Sequence, residues 1–405
     1  MSSDTVSSLL NVNGLGYAMP PALSVATQRR MVRAFPQVTT SANGGQIIYS
    51  LQTGDQLVYG PGSYMRIRLS MTGGSSDADR HIDTIASLFG RVTVSTRSGQ
   101  ELCRVEDFSL YVSKHERYTT PLAKWSRLSD PCVVNTDLDF AGDHIVAVMP
   151  LSWIPCFKND TLLPSQLMEG LRIQFDLNTP AVAFRHAVAG TPVTAFTVTS
   201  NIHLDCTTLA DQFSRRIAEV SASDGLVLLH KEPFHTIVNT TGTGLNFDVK
   251  KSCSKAVSFM VISREADRVS SPTLNSQNSE SYPFSSMQCQ VGSTFYPNSP
   301  LLQGGAPSKS ISREVYYYVQ SQCSGDFDNA ILYDRFYVTT TNENFAMFCQ
   351  KLTDSSDVMS GLVLNNSRAL ICNATFHSTA DRRVDAYLMH LRLVRVFSNN
   401  TTIRD

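Results

Sequence analysis

The feature that most constrains this fold is a period of two that returns throughout the chain. In "GLRIQFDL", residues 170–177, Leu171, Ile173, Phe175 and Leu177 fall on one side and Arg172, Gln174 and Asp176 on the other. An extended backbone sends successive side chains to opposite faces, so this is a strand with one face in a core and one in water. "SYMRIRLSM" sets Met65, Ile67, Leu69 and Met71 against Tyr64, Arg66, Arg68 and Ser70. In "TAFTVTSNIHLDC", Phe196, Val198, Ile202, Leu204 and Cys206 point inward, and Thr197, Thr199, Asn201, His203 and Asp205 outward. The connections are not tight hairpins. "MPLSWIPCFKNDTLLPSQLMEG" (149–170) is bulky and broken by prolines. A chain needs such connections when consecutive strands belong to different sheets of a sandwich.

Strand-like segments fill 46–206 ("QIIYSLQ", "QLVYG", "RVTVST", "ELCRV", "HIVAVMP"), with a helical turn in "DRHIDTIASLFG" and helical spacing of Val105, Phe108 and Val112. "TTLADQFSRRIAEVSASDG" predicts a helix carrying Leu209, Phe213, Ile217 and Val220, stopped at Gly225. The plan then recurs: "LVLLH", "FHTIVNT", "LNFDVK", "KAVSFMVIS", "MQCQVGSTF", "DRFYVTTT", "RALICNATFH" and "VDAYLMHLRLVRVF" read as strands, and "SREVYYYVQSQC" as a helix. The expected layout is an arm (1–45) with a short amphipathic helix in "PPALSVATQRRMVRAF", a first unit (46–206), a linker helix (207–224), a second unit (225–397) and a tail (398–405). A length of 405 residues suits two cores rather than one. Two successive all-β units with long ordered connections imply two eight-stranded jelly rolls with short helices in the connections.

Composition excludes several classes of function. A formal net charge of −1 gives no bulk attraction to DNA, RNA or anionic lipid. Nine cysteines stand singly with no CxxC, which argues against a disulfide framework or zinc ribbon and suits a reducing compartment. Scattered Asn-x-Ser/Thr sequons reflect the abundance of Asn, Ser and Thr. Neither a signal peptide nor a run of about 18 apolar residues is present, so a soluble protein is expected. No HxH pair supports a cupin-type metal site; "HID" (81–83) and "HLD" (203–205) lack a third ligand, and "HKEPFH" (230–235) reads as a solvated loop entry. No GxSxG occurs, and "TGTG" (241–244) lacks the lysine of a phosphate loop. Neither Trp125 nor Trp153 lies in an aromatic cluster of sequence. No enzyme, cofactor or metal is expected.

Two groups invite a contact reading. Arg29, Arg30 and Arg33 are either an inner-face contact to nucleic acid, membrane or a neighbouring subunit, or a surface helix without a partner. Tyr316, Tyr317 and Tyr318 are either intersubunit contact area, since tyrosine is enriched at interfaces, or a helix face packed on its own domain. The loops 264–286 and 297–310 are expected either to decorate an outer face or to make contacts between neighbouring assemblies of the chain.

"SYMRIRLSM…IASLFGRVTVSTRSGQEL", "VMPLSWIPCFKNDTLLPSQLMEGLRIQFDL" and "CQVGSTFYPNSPL…SREVYYYVQ", in that order across 46–397, resemble passages of the double jelly-roll major capsid proteins. That lineage is typified by adenovirus, tectivirus and algal-virus capsids; the nearest likeness is to polinton-like viruses and virophages. The resemblance implies a homotrimer forming pseudo-hexameric capsomers that tile an icosahedral virion. Its partners would be neighbouring capsomers, penton and minor capsid proteins; the net charge of −1 adds that a membrane, a basic core protein or counterions would lie between shell and genome, with little direct nucleic-acid binding. It implies synthesis in the host cytoplasm or nucleus, and no catalytic residues. The alternative is a tandem β-sandwich carbohydrate- or receptor-binding spike.

Overall fold

A computed structural model describes residues 26–405 apart from 75–78, 134–135, 139–143, 187–189, 270, 272, 274–275, 278, 281–283, 303–308, 324–345, 354–360, 367 and 398–400. The first unit contains β1 (Ala26–Ala34), β2 (Gln46–Ser50), β3 (Leu57–Gly73), β4 (Phe89–Ser95), β5 (Glu101–Glu106), β6 (Ile145–Pro150), β7 (Arg172–Leu177) and β8 (Val193–Leu209). The second contains β9 (Leu226–Thr240), β10 (Gly244–Val249), β11 (Cys253–Glu265), β12 (Phe284–Val291), β13 (Thr294–Leu302), β14 (Phe348–Lys351), β15 (Leu370–Phe376) and β16 (Arg382–Val396). Sheet order in the first unit is β1-β8-β3-β6 and β2-β7-β4-β5; in the second it is β9-β16-β11-β14 and β10-β15-β12-β13. All these pairings are antiparallel. Adding eight to each label of the first unit reproduces the second. Each unit is a jelly roll, because consecutive strands such as β2 and β3, or β6 and β7, belong to opposite sheets.

The alternating residues pack as the pattern demands. Met65, Ile67 and Leu69 of β3, Ile173 and Phe175 of β7, and Phe196, Val198, Ile202 and Leu204 of β8 all enter one core. Burying each such side chain contributes roughly 1.5–3 kcal/mol. The proline-rich connection between β6 and β7 turns through two short 3-10 segments and lays Leu151, Trp153, Ile154 and Phe157 into the end of this sandwich. A second core holds Phe247, Phe259, Met287, Cys372 and Leu388.

Several expectations are overturned. "ATQRRMVRA" is a strand, not a helix: β1 pairs with β8 from Ala26 to Ala34, where the edge of β8 offers unpaired backbone groups. Residues given to the arm therefore build the first sheet, and Thr40–Ala42 also pairs with β8. Part of the tail, Thr401–Arg404, is a strand on β16. Residues 297–302 are strand β13 rather than loop. In the 264–286 segment, β11 runs to Glu265, and Ser276, Gln277 and Ser279 are buried. Gln277 donates to Ser109 Oγ and Ser276 to the Val182 carbonyl, both in the first unit. "HKEPFH" lies inside β9, with His230 and Glu232 buried, because that strand is covered by β5. The strand expected in "DRFYVTTT" lies outside the described residues.

The helices fall close to expectation. α1 (Phe108–Tyr111) continues into a π-helical turn (Val112–Glu116), and α2 (Leu122–Ser129) follows. α3 (Asp211–Ser223) joins the units, although Leu209 still belongs to β8. α4 (Lys309–Cys323) follows β13 as α1 follows β5.

Candidate functional site

Strand β16 is buried on both sides. Val384, Ala386 and Leu388 face the second unit's own core, whereas Tyr387 and Met389, with Met260 and Ile262 of β11, join the core of the first unit. The sequence signal is the near-continuous apolar run "VDAYLMHL", which a strand with a wet face does not show. The outer face of this sheet is therefore an interface between the units, and polar groups run along it.

At one end Arg264, fully buried, donates from Nε and Nη2 to Asp385 Oδ2 (2.9 and 2.6 Å), from Nη2 to Asp107 Oδ2 (2.9 Å) and from Nη1 to the Ser276 carbonyl (2.7 Å). Arg383 bridges the same two acids, and His235 donates to Asp385 Oδ1 at 2.9 Å while stacking on Tyr387. Burial pushes the Asp385 carboxyl up, but Arg264, His235 and Arg383 outweigh it and hold that group well below the usual carboxylate range. Asp107 sits at φ 45°, a left-handed conformation unusual without glycine. Its carboxylate reaches both arginines of the other unit from there.

At the other end β9 meets β5. His230 Nε2 donates to the Leu102 carbonyl (3.1 Å), the Arg104 amide to Glu232 Oε1 (3.0 Å), and Arg392 Nη1 to the Leu102 carbonyl (3.0 Å). Burial, with Arg392 nearby, pushes His230 down to about 4, and burial pushes Glu232 up to about 7. Glu232, His390 and Asp405 bring ligand-type atoms within 4.8 Å of one another. Arg392 nevertheless lies 2.6 Å from Glu232 and 2.7 Å from Asp405, and Lys251 lies 2.6 Å from Asp405. Both carboxylates are thus already neutralised, and a divalent ion would sit against two cations. The group is an ion-pair network, not a metal cage.

The arginines do not share one environment. Arg29 makes a two-pronged contact to Asp205, with Nε to Oδ1 at 2.8 Å, and that hydrogen bond raises its pKa. Asp205, expected on the wet face, is buried beneath this pair. Arg30 points to Gln56 at 3.4 Å, and Arg33 lies over the Phe35 ring at 6.0 Å. The tyrosines also separate. Tyr316 packs on the first core, Tyr318 on the second beside Phe348, and Tyr317 is 62% exposed. Trp125 and Trp153, unrelated in sequence, stack at 6.0 Å. Both are buried, at 4% and 3% exposure, so they form no platform for a sugar. "HID" contributes His81 and Asp83 to a small cavity also lined by Ser87, Ser276 and Gln277.

No family model and no curated protein matches the sequence. Solved structures do. The chain is similar to the capsid of the virus PBCV-1 at 11% identity and a TM-score of 0.61, over 96% of this chain and 98% of that one. It is similar to the Faustovirus major capsid protein at 8% identity and a TM-score of 0.62, over 98% and 94%. The mavirus major capsid protein matches at 10% identity and a TM-score of 0.59, over 96% and 92%. Agreement along nearly the whole of both chains, with two jelly rolls in succession, shows that this chain has the double jelly-roll fold.

Proposed function

We propose that the chain is the major capsid protein of an icosahedral virion. Three copies associate into a pseudo-hexameric capsomer, and capsomers tile the shell. The observation that carries this reading is the fusion of two jelly rolls of identical strand order through a buried polar seam. It yields a rigid two-block tile, and its likeness to capsid proteins extends end to end. Nothing in such a tile asks for a reacting group, and the role is structural rather than enzymatic. We take α3 as the boundary between the blocks. Further partners are penton and minor capsid proteins. A formal net charge of −1 cannot neutralise a packaged genome. A membrane, a basic core protein or counterions therefore lie between shell and nucleic acid. The location is the virion, with synthesis in the host cytoplasm or nucleus.

The spike reading needs an exposed aromatic platform, and the burial of the tryptophan pair removes the best candidate. Mass measurement with negative-stain imaging of the purified chain tests the proposal. Hexagonal trimers or shells are expected; a monomer that binds glycans overturns it.

A further inference from the structure

We propose that Cys103 and Cys156 form a reversible disulfide in the folded chain, with a small-molecule disulfide such as oxidised glutathione as the oxidant. The two residues are far apart in sequence and meet only in the fold. Cys103 lies on β5 and is fully buried. Cys156 lies in the second 3-10 segment of the proline-rich crossover between β6 and β7 and is half-buried. That segment packs against β5, and the two thiols face each other within hydrogen-bonding reach, with the Cys156 backbone also bonded to the Cys103 thiol. A disulfide closes between side chains already directed at each other.

A second pair supplies the contrast. Cys289 of β12 and Cys372 of β15 are directly opposite in the strand register, and their thiols also meet. Both are at 0% exposure in the second core, so no oxidant reaches either. Contact is common to the two pairs; access is not. Burial pushes the Cys103 and Cys289 thiols up, which keeps them protonated and poor first attackers. Cys156 is thus the thiol that an oxidant meets. Its thiolate attacks one sulfur of the small disulfide and expels the first small thiolate. Cys103 then attacks the Cys156 sulfur, its proton going with the second departing thiolate. Two protein thiols are oxidised by two electrons to one disulfide, and one small disulfide is reduced to two thiols.

The bond falls at the seam between the units. On either side of Cys103, the Leu102 carbonyl accepts from His230 and Arg392, and the Arg104 amide donates to Glu232. Three residues beyond Cys156, Asn159 donates to the Leu229 carbonyl of β9. Both segments joined by the disulfide therefore already hold the second unit. The link closes a loop of roughly fifty residues, which narrows the unfolded ensemble and so stabilises the fold. None of this depends on what the chain assembles into. On the shell reading, the thiols persist in a reducing cell and the bond closes once a particle is outside it.

The test uses the full chain, purified with reductant, held native at neutral pH in excess oxidised glutathione, and then alkylated in denaturant. Peptide mapping without reduction is expected to recover Cys103 linked to Cys156, and Cys289 and Cys372 as alkylated thiols. Oxidation is expected to raise the melting temperature by about 5 °C, and dithiothreitol to reverse the shift. Cys103→Ser is expected to retain glutathione on Cys156, and Cys156→Ser to leave Cys103 a thiol. Wild-type Cys156 recovered as a free thiol, or as a glutathione adduct that never passes to Cys103, overturns the proposal whatever the variants do. A native Cys289–Cys372 bond in place of the expected one overturns the role given to access. Each result is read from peptides, whatever mass and imaging show, so the shell reading stands or falls separately.

Discussion

The outer faces of β1-β8-β3 and β9-β16-β11 occupy equivalent places in two jelly rolls of one topology, yet their chemistry is opposite. The second carries Met260, Ile262, Tyr387 and Met389 together with a hydrogen-bonded arginine–aspartate–histidine network, all buried by the first unit. The first carries Thr197, Thr199, Arg66 and Arg68, all exposed. Topology is set by the inner faces, which are apolar in both units. The outer faces are left to record what each sheet is packed against. A strand that alternates cleanly has one neighbour layer; one that does not has two.

Substitutions that break this contrast rank by how much they strand. Asp385→Ala leaves Arg264 and His235 buried without their shared acid and is expected to cost about 3–5 kcal/mol of unfolding free energy, read by urea denaturation. Acid is next. His230 has a folded-state pKa of about 4 against an ordinary 6.5, so its contribution is complete above pH 6.5 and is lost as pH falls from there through 4. That is on the order of 3 kcal/mol. His230→Gln should flatten the acid limb of a melting-temperature profile; an unchanged limb rejects the assignment. Glu232 acts with the opposite sign. Raised to about 7 from 4.5, it favours the fold fully below pH 4.5 and less as pH climbs through 7, so Glu232→Gln should flatten the alkaline limb. Tyr387→Phe removes only the hydroxyl that donates to the Asp107 carbonyl at 3.3 Å, for about 1 kcal/mol. On the open face Arg68→Ala should shift the monomer by no more than about 0.5 kcal/mol. A larger loss there would mean that the two faces are less different than their burial indicates.

Much of the architecture was legible in local pattern. "SYMRIRLSM" and "GLRIQFDL" lie in β3 and β7 with the expected residues inward, and α3 contains the anticipated Phe213, Ile217 and Val220. The misses share a cause. "ATQRRMVRA" has residues that suit a helix, but the free edge of β8 gives its backbone a ladder partner some 170 residues away, and that pairing outweighs weak propensity. "HKEPFH" is polar enough for a loop, yet its groups find the backbone of β5 and the arginines and acids of β16, which lie far along the chain. The tryptophan pair was unreadable for the same reason: the strands and turns that bring Trp125 to Trp153 are not encoded beside either residue.

Period-two alternation, prolines in the crossovers and length were enough to define two β-sandwiches with long connections, because side-chain direction along an extended chain is a local property. Which strand neighbours which, which outer face is covered, and where buried charges find their partners were decided only on folding. Those outcomes depend on groups that are distant in sequence and interact strongly only once water is excluded from between them.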